Sequence, residues 1–437
     1  MPHRHGFCKT LRLPVLVPAP VIDQLQATTD LFRQVVTYYL RVFAEHLEVL
    51  DNPRWLSLAE KLTHRTIKNP APLYHDFDAL FPCLPSGFRR AAIAASYGLA
   101  LAWRENYRRW QRAKVSAEER NERRAAVGKK PIRFTERPPQ FPETARSWLT
   151  YYGTEFKVFD ARHLLLKVTT GTSYIYRKVA LARPWEIPAG YAAGSPTLVQ
   201  KKNGWEVHIP LFLQERRDLR PAAALMQDPA TRICAVDLGL NHHAVMTIQD
   251  AEGRVLATAF ISGAKDNHLR KQYLERIARL QKKTGVIPEG ERFAKDLWDK
   301  VKNLVGDIAH QVSRRIVDLA AQHGARIIVF EHLKNLHPEK GTRSRRMNQK
   351  LGYWVKGRIF QYTQYKALHQ GIIVCRVNPR DTSRRCPYCG FMSIERYLPG
   401  KPHGITLAQC GNCGLHDVHA DWLATKNIGQ KFRLRYA

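Results

Sequence analysis

Residues 231–250 read TRICAVDLGLNHHAVMTIQD, and the fold of the chain turns on them. The apolar run 233–236 is too short for a helix and reads as a strand buried on both faces, which turns at Gly239 into a second strand. It ends in Asp237, and a lone carboxylate in a buried strand is costly unless something pairs with it. The pattern returns at 325–333, ARIIVFEHL, another buried strand closing on an acid, Glu331. Between the two, HLRKQYLERIARLQKK (268–283) sets Leu269, Tyr273, Ile277 and Leu280 on one face of a basic helix. A longer helix then carries Phe293, Leu297, Val301, Leu304, Ile308, Val312, Ile316 and Leu319 before Gly324 ends it. Strands, helices and a further strand predict an α/β domain.

A third acidic position lies in CGNCGLHDVHADWLATKNIG (410–429), where Asp417 and Asp421 stand at the start of a predicted helix. Three carboxylates from two strands and a helix are the donor set for two hard divalent ions, Mg2+ with Mn2+ as a substitute. Such ions activate water in phosphodiester hydrolysis. The same stretch supplies half of a metal hook: Cys386, Cys389, Cys410 and Cys413 form two C-x-x-C pairs separated by 20 residues. That spacing favours one structural Zn2+ over disulfides in an intracellular chain. His403, His416 and His419 lie close enough to substitute as ligands, but the cysteine set is already complete, and the histidines read as surface or nucleic-acid-facing. Cys8, Cys83, Cys234 and Cys375 read as core thiols.

The whole chain has 437 residues, 70 Lys and Arg against 38 Asp and Glu, and a formal net charge of +32. An excess of this size repels itself unless a polyanion neutralises it, so nucleic acid is the expected partner. No run of about 18 apolar residues is present to span a membrane. The opening segment mimics a signal peptide, but Pro14, Pro18 and Pro20 break the apolar run as a helix. It reads as an edge strand of a cytoplasmic protein.

Ahead of the α/β domain the texture changes twice. Ile22, Leu25, Phe32, Val36, Tyr39, Phe43 and Leu47 recur at helical spacing, and a second helix runs from about Phe88 into RENYRRWQRAK. Residues 101–140 hold 12 Lys and Arg against 5 Glu, with Trp103, Tyr107 and Trp110 interleaved. This is either a solvated helix face or a phosphate-contacting segment with base-stacking aromatics. From about 150 to 215 strand-forming runs predict a small β-barrel, with Asn203-Gly204 as a hairpin turn. Pairing of the first strand with that barrel would make the helices an insertion. Lys282, Lys283, Arg343, Arg345, Arg346 and Arg384 are candidate nucleic-acid contacts, with 341–350 expected as a mobile loop. Trp354, Phe360 and Tyr365 read as core.

AVDLGLNHHAVM, IAHQVSRRIVDLAAQHGARIIVFEHL, NPRDTSRRCPYCG and HADWLATKNI resemble the successive RuvC motifs and zinc ribbon of the TnpB nucleases and the related miniature type V CRISPR effectors. The resemblance is detailed over about 230–430 and architectural before that. It implies an RNase H-like (RuvC) nuclease domain in two parts, 226–384 and 416–437, with a target-binding zinc ribbon at 385–415. A β-barrel at 1–20 and 143–225 would be interrupted by a helical recognition insertion at 21–142. Carried over residue by residue, Asp237, Glu331 and Asp421 match the catalytic, Mg2+-binding acids, with Asp417 the rival for the third place. Leu423 and Thr425 depart from the family's Asn and Ala, whereas Ala424 and Asn427 keep its pattern. The implied activity is RNA-guided DNA cleavage: a guide RNA, transposon-derived or CRISPR, pairs with target double-stranded DNA beside a short duplex motif. Monomer and homodimer are both open. The rivals are a guide-independent junction nuclease, a non-cleaving guided binder, and a DDE transposase, which the zinc ribbon between the second and third acids disfavours.

Overall fold

The computed structural model describes residues 8–144, 146–201, 204–213, 219–285, 293–333, 336, 338, 344–392, 394–397 and 406–436. The chain divides into two compact units, 1–214 and 215–437.

In the first unit, strand β1 (Cys8–Leu16) leads into helices α1 (Ala19–Glu45), α2 (Trp55–Thr63), α3 (Phe77–Leu80) and α4 (Ser86–Ala125). Strands β2 (Phe156–Asp160), β3 (His163–Thr169), β4 (Tyr174–Leu181), β5 (Tyr191–Ala193), β6 (Thr197–Lys201) and β7 (Gly204–Leu213) follow. They form one antiparallel sheet in the order β2-β3-β4-β1-β7-β5, with β6 also on β7; among the described residues this path does not close into a ring. Period-2 alternation buries Leu164, Leu166 and Val168 on β3 and Trp205, Val207, Ile209 and Leu211 on β7. Asn203 of the expected turn lies outside the described residues.

Two expectations need correction here. The first strand is not an edge: it pairs with β7 at eight positions and with β4 at Val15 and Leu16. Pro14 is tolerated because it lies just outside the β4 ladder, which begins at Val15, and it needs only its carbonyl there, which accepts from Ala182 N–H. Cys83 is exposed, whereas Cys234 is buried and Cys375 is half-buried.

The indole N–H groups of Trp103 and Trp110 on α4 are bonded within the chain. Trp103 Nε1 donates to the Pro139 carbonyl and Trp110 Nε1 to that of Glu136, while Phe141 and Phe134 pack against the two indoles. Residues 129–142 thus return along the helix, and the indole N–H groups find partners without nucleic acid.

The second unit contains α5 (Ala222–Met226), β8 (Arg232–Asp237), β9 (His242–Gln249), β10 (Val255–Ser262), α6 (Ala264–Thr284), α7 (Lys295–Gln322) and β11 (Ala325–Glu331). It continues with α8 (Arg345–Gly352), α9 (Lys356–His369), β12 (Ile373–Val377), the short strands β13 (Glu395–Tyr397), β14 (Leu407–Gln409) and β15 (Val418–His419), and α10 (Ala420–Arg433). The main sheet runs β10-β9-β8-β11-β12. Strand β9 is antiparallel to both neighbours, and β8, β11 and β12 are parallel. This is the order expected of an RNase H-like core.

Strands buried on both faces sort their side chains by parity. Cys234, Val236, Ile328 and Phe330 face α7 and α9, packing on Ile308, Val312, Ile316 and Ile359. Ile233, Ala235, Ile327 and Val329 face the other way, onto Ile428 and Phe432 of α10. Truncating a residue such as Phe432, fully buried there, costs about 3–5 kcal/mol. Where a loop was expected at 341–350, residues from Arg345 onward form α8, whose Ser344 side chain accepts from Met347 N–H. Arg343 lies outside the described residues, as do the side chains of Arg345 and Arg346. Phe360 is buried, and Trp354 packs partly buried on the same core. Among the described residues no helix is long and apolar enough to cross a membrane.

Candidate active site

The parity that builds the core also places the acids. Asp237 and Glu331 each extend the odd-numbered series of their strand, so both leave the sheet on the side that α10 covers. Phe330 is registered against Val236, which sets the two acids at neighbouring strand ends. Asp421 lies in the first turn of α10, seven and eleven residues before the core residues Ile428 and Phe432, on the helix face turned to the sheet.

Electrostatics report the same meeting. The Asp237 carboxyl is held well above its ordinary range, first by burial and then by the charges of Glu331 and Asp421. Burial also raises Glu331; a hydrogen bond from the Thr382 hydroxyl and the charges of Lys431 and Arg396 oppose the rise. Two buried acids held above their ordinary range, with Asp421 close enough to add its charge to Asp237, form an all-oxygen donor set that fits Mg2+. Asp417 is elsewhere. It is exposed in the left-handed region at φ 56°, accepts from the Tyr397 hydroxyl, and pairs with His416.

Sequence reading missed the support around the trio. Asn427 is buried and donates to the carbonyls of Thr382 (2.8 Å) and Arg385 (2.7 Å). It thereby ties α10 to the loop that holds Glu331 and leads into Cys386. Arg396, exposed on β13, brings a positive charge to Asp237 and Glu331. Asn427 keeps the family pattern, but its partners lie 42 and 45 residues away, out of reach of any local signal.

The four cysteines also come together. Sγ of Cys386 is 3.7 Å from that of Cys413, Sγ of Cys389 is 3.6 Å from that of Cys410, and all four lie within 4.8 Å of one another. A tetrahedral zinc with bonds near 2.3 Å has sulfur–sulfur edges of about 3.8 Å, so the spacing fits. Each pair is followed by a glycine at positive φ, Gly390 (75°) and Gly414 (69°), which lets the chain turn back. Cys386 N–H bonds to the Phe391 carbonyl and Cys410 N–H to that of Leu415. A small core of Ala408, Ala420 and Leu423 joins this ribbon to the start of α10.

The histidines divide. His403 lies outside the described residues, and His416 is exposed. His419, expected at the surface or against nucleic acid, is instead half-buried beside His242 and Asp421. Lys282 and Lys283 are exposed in the last turn of α6, and Arg384 is exposed ahead of the cysteines.

A family model described as "Cas12f1-like, TNB domain" matches residues 357–428, and one described as "Aq_aa04 family" matches 9–170. The TnpB-like protein aq_aa05 of Aquifex aeolicus is 33 % identical over 181 residues, 40 % of this chain and 57 % of that protein. The CRISPR-associated endodeoxyribonuclease Cas12f1 of Sulfoacidibacillus thermotolerans is 28 % identical over 238 residues, 52 % of this chain and 50 % of its own. The chain therefore spans between half and two-thirds of these curated relatives. The fold is that of Alicyclobacillus acidoterrestris C2c1, solved with single-guide RNA (TM-score 0.62, 10 % identity, 98 % of this chain and 88 % of that one). It is also that of CasPhi-2 (Cas12j), solved with crRNA (TM-score 0.55, 12 % identity, 98 % of each chain). By motif and matched domain, the chain is similar to the TnpB-like proteins and to the Cas12f1 endodeoxyribonucleases.

Proposed function

We propose that this protein is an RNA-guided DNA endonuclease with one active site, built from Asp237, Glu331 and Asp421. The observation that carries the reading is the meeting of these acids, 184 positions apart along the chain from first to last, on the one face that α10 covers. Mg2+ bound there supplies a Lewis acid and an activated water for phosphodiester hydrolysis. The protein's own part is to hold the carboxylates in place: Thr382 fixes Glu331, and Asn427 fixes the loop that carries Thr382. Arg396 is placed to offset the negative charge of a scissile phosphate close to the acids. The four cysteines hold zinc, which ties the ribbon next to the site that Arg396 overlooks.

The net charge of +32 suits a polyanionic guide and target. The first unit, an antiparallel sheet interrupted by helices, would grip the guide RNA, and both DNA strands would visit the single site in turn. The proteins whose fold it shares were solved with guide RNA, which supports this partner. The test is to express the protein with candidate guide RNAs, sequence the RNA that copurifies, and assay cleavage of matched plasmid in Mg2+. Asp237→Ala should abolish cutting and leave guided binding within a few-fold. Cutting without bound RNA would favour an unguided nuclease; guided binding with no wild-type cutting would favour a repressor.

A further inference from the structure

The edge of the carboxylate trio carries a second donor set of different chemistry. His242 opens β9, and His419 immediately precedes α10, whose first turn holds Asp421. The two imidazole rings lie 5.2 Å apart, and Phe260 packs edge-on against both, at 5.6 and 4.9 Å. His242 Nδ1 is 3.7 Å from Asp421 Oδ2. One ligand atom from each of His242, His419 and Asp421 lies within 4.8 Å of the other two. Ligands sharing one ion at bonds of about 2.1 Å stand about 3.0–3.5 Å apart, so small side-chain rotations close the set.

A packing role alone leaves one atom unexplained. His419 Nδ1 accepts from the Asp421 N–H at 3.2 Å, while its Nε2 is buried without a hydrogen-bond partner. Buried ring nitrogens are normally satisfied, and this one belongs to a ring that clusters with a carboxylate and a second imidazole, a donor set that suits a metal ion. Oxygen ligands suit Mg2+, whereas imidazole suits borderline first-row ions. We propose that His242, His419 and Asp421 form a binding site for a first-row transition-metal ion such as Co2+ or Zn2+, distinct from the four-cysteine site and sharing Asp421 with the acidic trio. Only the sharing of that ion with nuclease chemistry rests on the function proposed above; metal binding by the histidines does not.

The test uses full-length protein with its cysteine site filled by zinc, titrated with Co2+ and followed by absorption. Visible d–d bands that saturate at one equivalent, with no near-ultraviolet thiolate-to-cobalt band and with zinc retained, are expected. His242→Ala and His419→Ala should each weaken Co2+ binding tenfold or more, while exposed His416→Ala leaves it unchanged. His419→Gln, which keeps an acceptor for the Asp421 N–H, should lose Co2+ affinity yet retain zinc and the wild-type melting profile. Absence of the bands in the wild type, or wild-type affinity in the double variant His242→Ala/His419→Ala, overturns the proposal. Co2+ binding as described in a protein that cuts no DNA defeats the nuclease reading alone. Mg2+-dependent cutting with normal Co2+ binding by the histidine variants defeats the histidine site alone.

Discussion

Replacing Asn427 by alanine probes the joint between the proposed Mg2+ site and the four-cysteine cluster. The amide is buried and its Nδ2 serves two main-chain carbonyls, those of Thr382 and Arg385. Alanine removes both bonds, leaving the buried Thr382 carbonyl without a donor and the part-buried Arg385 carbonyl to be met by solvent alone. Each such loss costs about 1–3 kcal/mol, so the pair is worth about 2–4 kcal/mol once partial relaxation is allowed. At about 1.4 kcal/mol per tenfold, local opening of the 378–386 loop should become roughly 30-fold to several-hundred-fold more frequent. Hydrogen exchange of peptides covering 378–386 in the zinc-loaded protein reads this directly. Because Thr382 holds Glu331 and Arg385 precedes Cys386, the same variant should lose Mg2+-dependent cleavage and release zinc faster to a chelator. Protection within twofold of wild type, with zinc release unchanged, would refute the claim that this side chain couples α10 to both sites.

Three further outcomes follow from the same geometry. The raised pKa of Asp237 means that folding favours its protonated form, so its contribution is fully favourable below the unfolded-state carboxylate range, about pH 4, and is lost as pH rises through the folded value. Asp237→Asn should therefore raise the melting temperature of the metal-free second unit at neutral pH, with the gain vanishing in acid. Cys389→Ser or Cys413→Ser should reduce zinc from one per chain to none by elemental analysis and strip exchange protection from residues 386–392 and 406–415, since structural zinc contributes folding energy directly. Gly429→Ala should cost about 1–3 kcal/mol in chemical denaturation. Its new methyl would meet the Gln249 side chain, which is held by Thr247, the Thr425 carbonyl and Arg433.

Strong local patterns survived folding where their cause was local. The helix with Val301, Ile308, Val312 and Ile316 inward ends as expected before Gly324, which adopts φ 65°. Two strands of the five-stranded sheet went unread. In β10 exposed and half-buried residues alternate along a sheet edge, which gives a weak signal, and β12 is only five residues long. Pro14 misled because proline usually marks an edge, and nothing local reveals which side of a strand lacks a neighbour. Trp103 and Trp110 stand in a basic segment that suggests stacking on bases, and nothing local shows that their N–H groups are used by a strap 36 and 26 residues away.

The sequence by itself determined the ingredients: a basic chain, buried strands ending in Asp237 and Glu331, Asp421 at a helix start, and two cysteine pairs at metal-binding spacing. Those follow from periodicity and from the cost of burying charge, which act over a few residues. Only the tertiary structure decided that odd-numbered strand positions face α10, that Asp417 lies apart from the trio, and that Asn427 binds the loop under Glu331. It alone brought His242 and His419, 177 positions apart, into one cluster. Such contacts are fixed by sheet order and helix docking, and two histidines carry no local mark of which surfaces the packed core will press together.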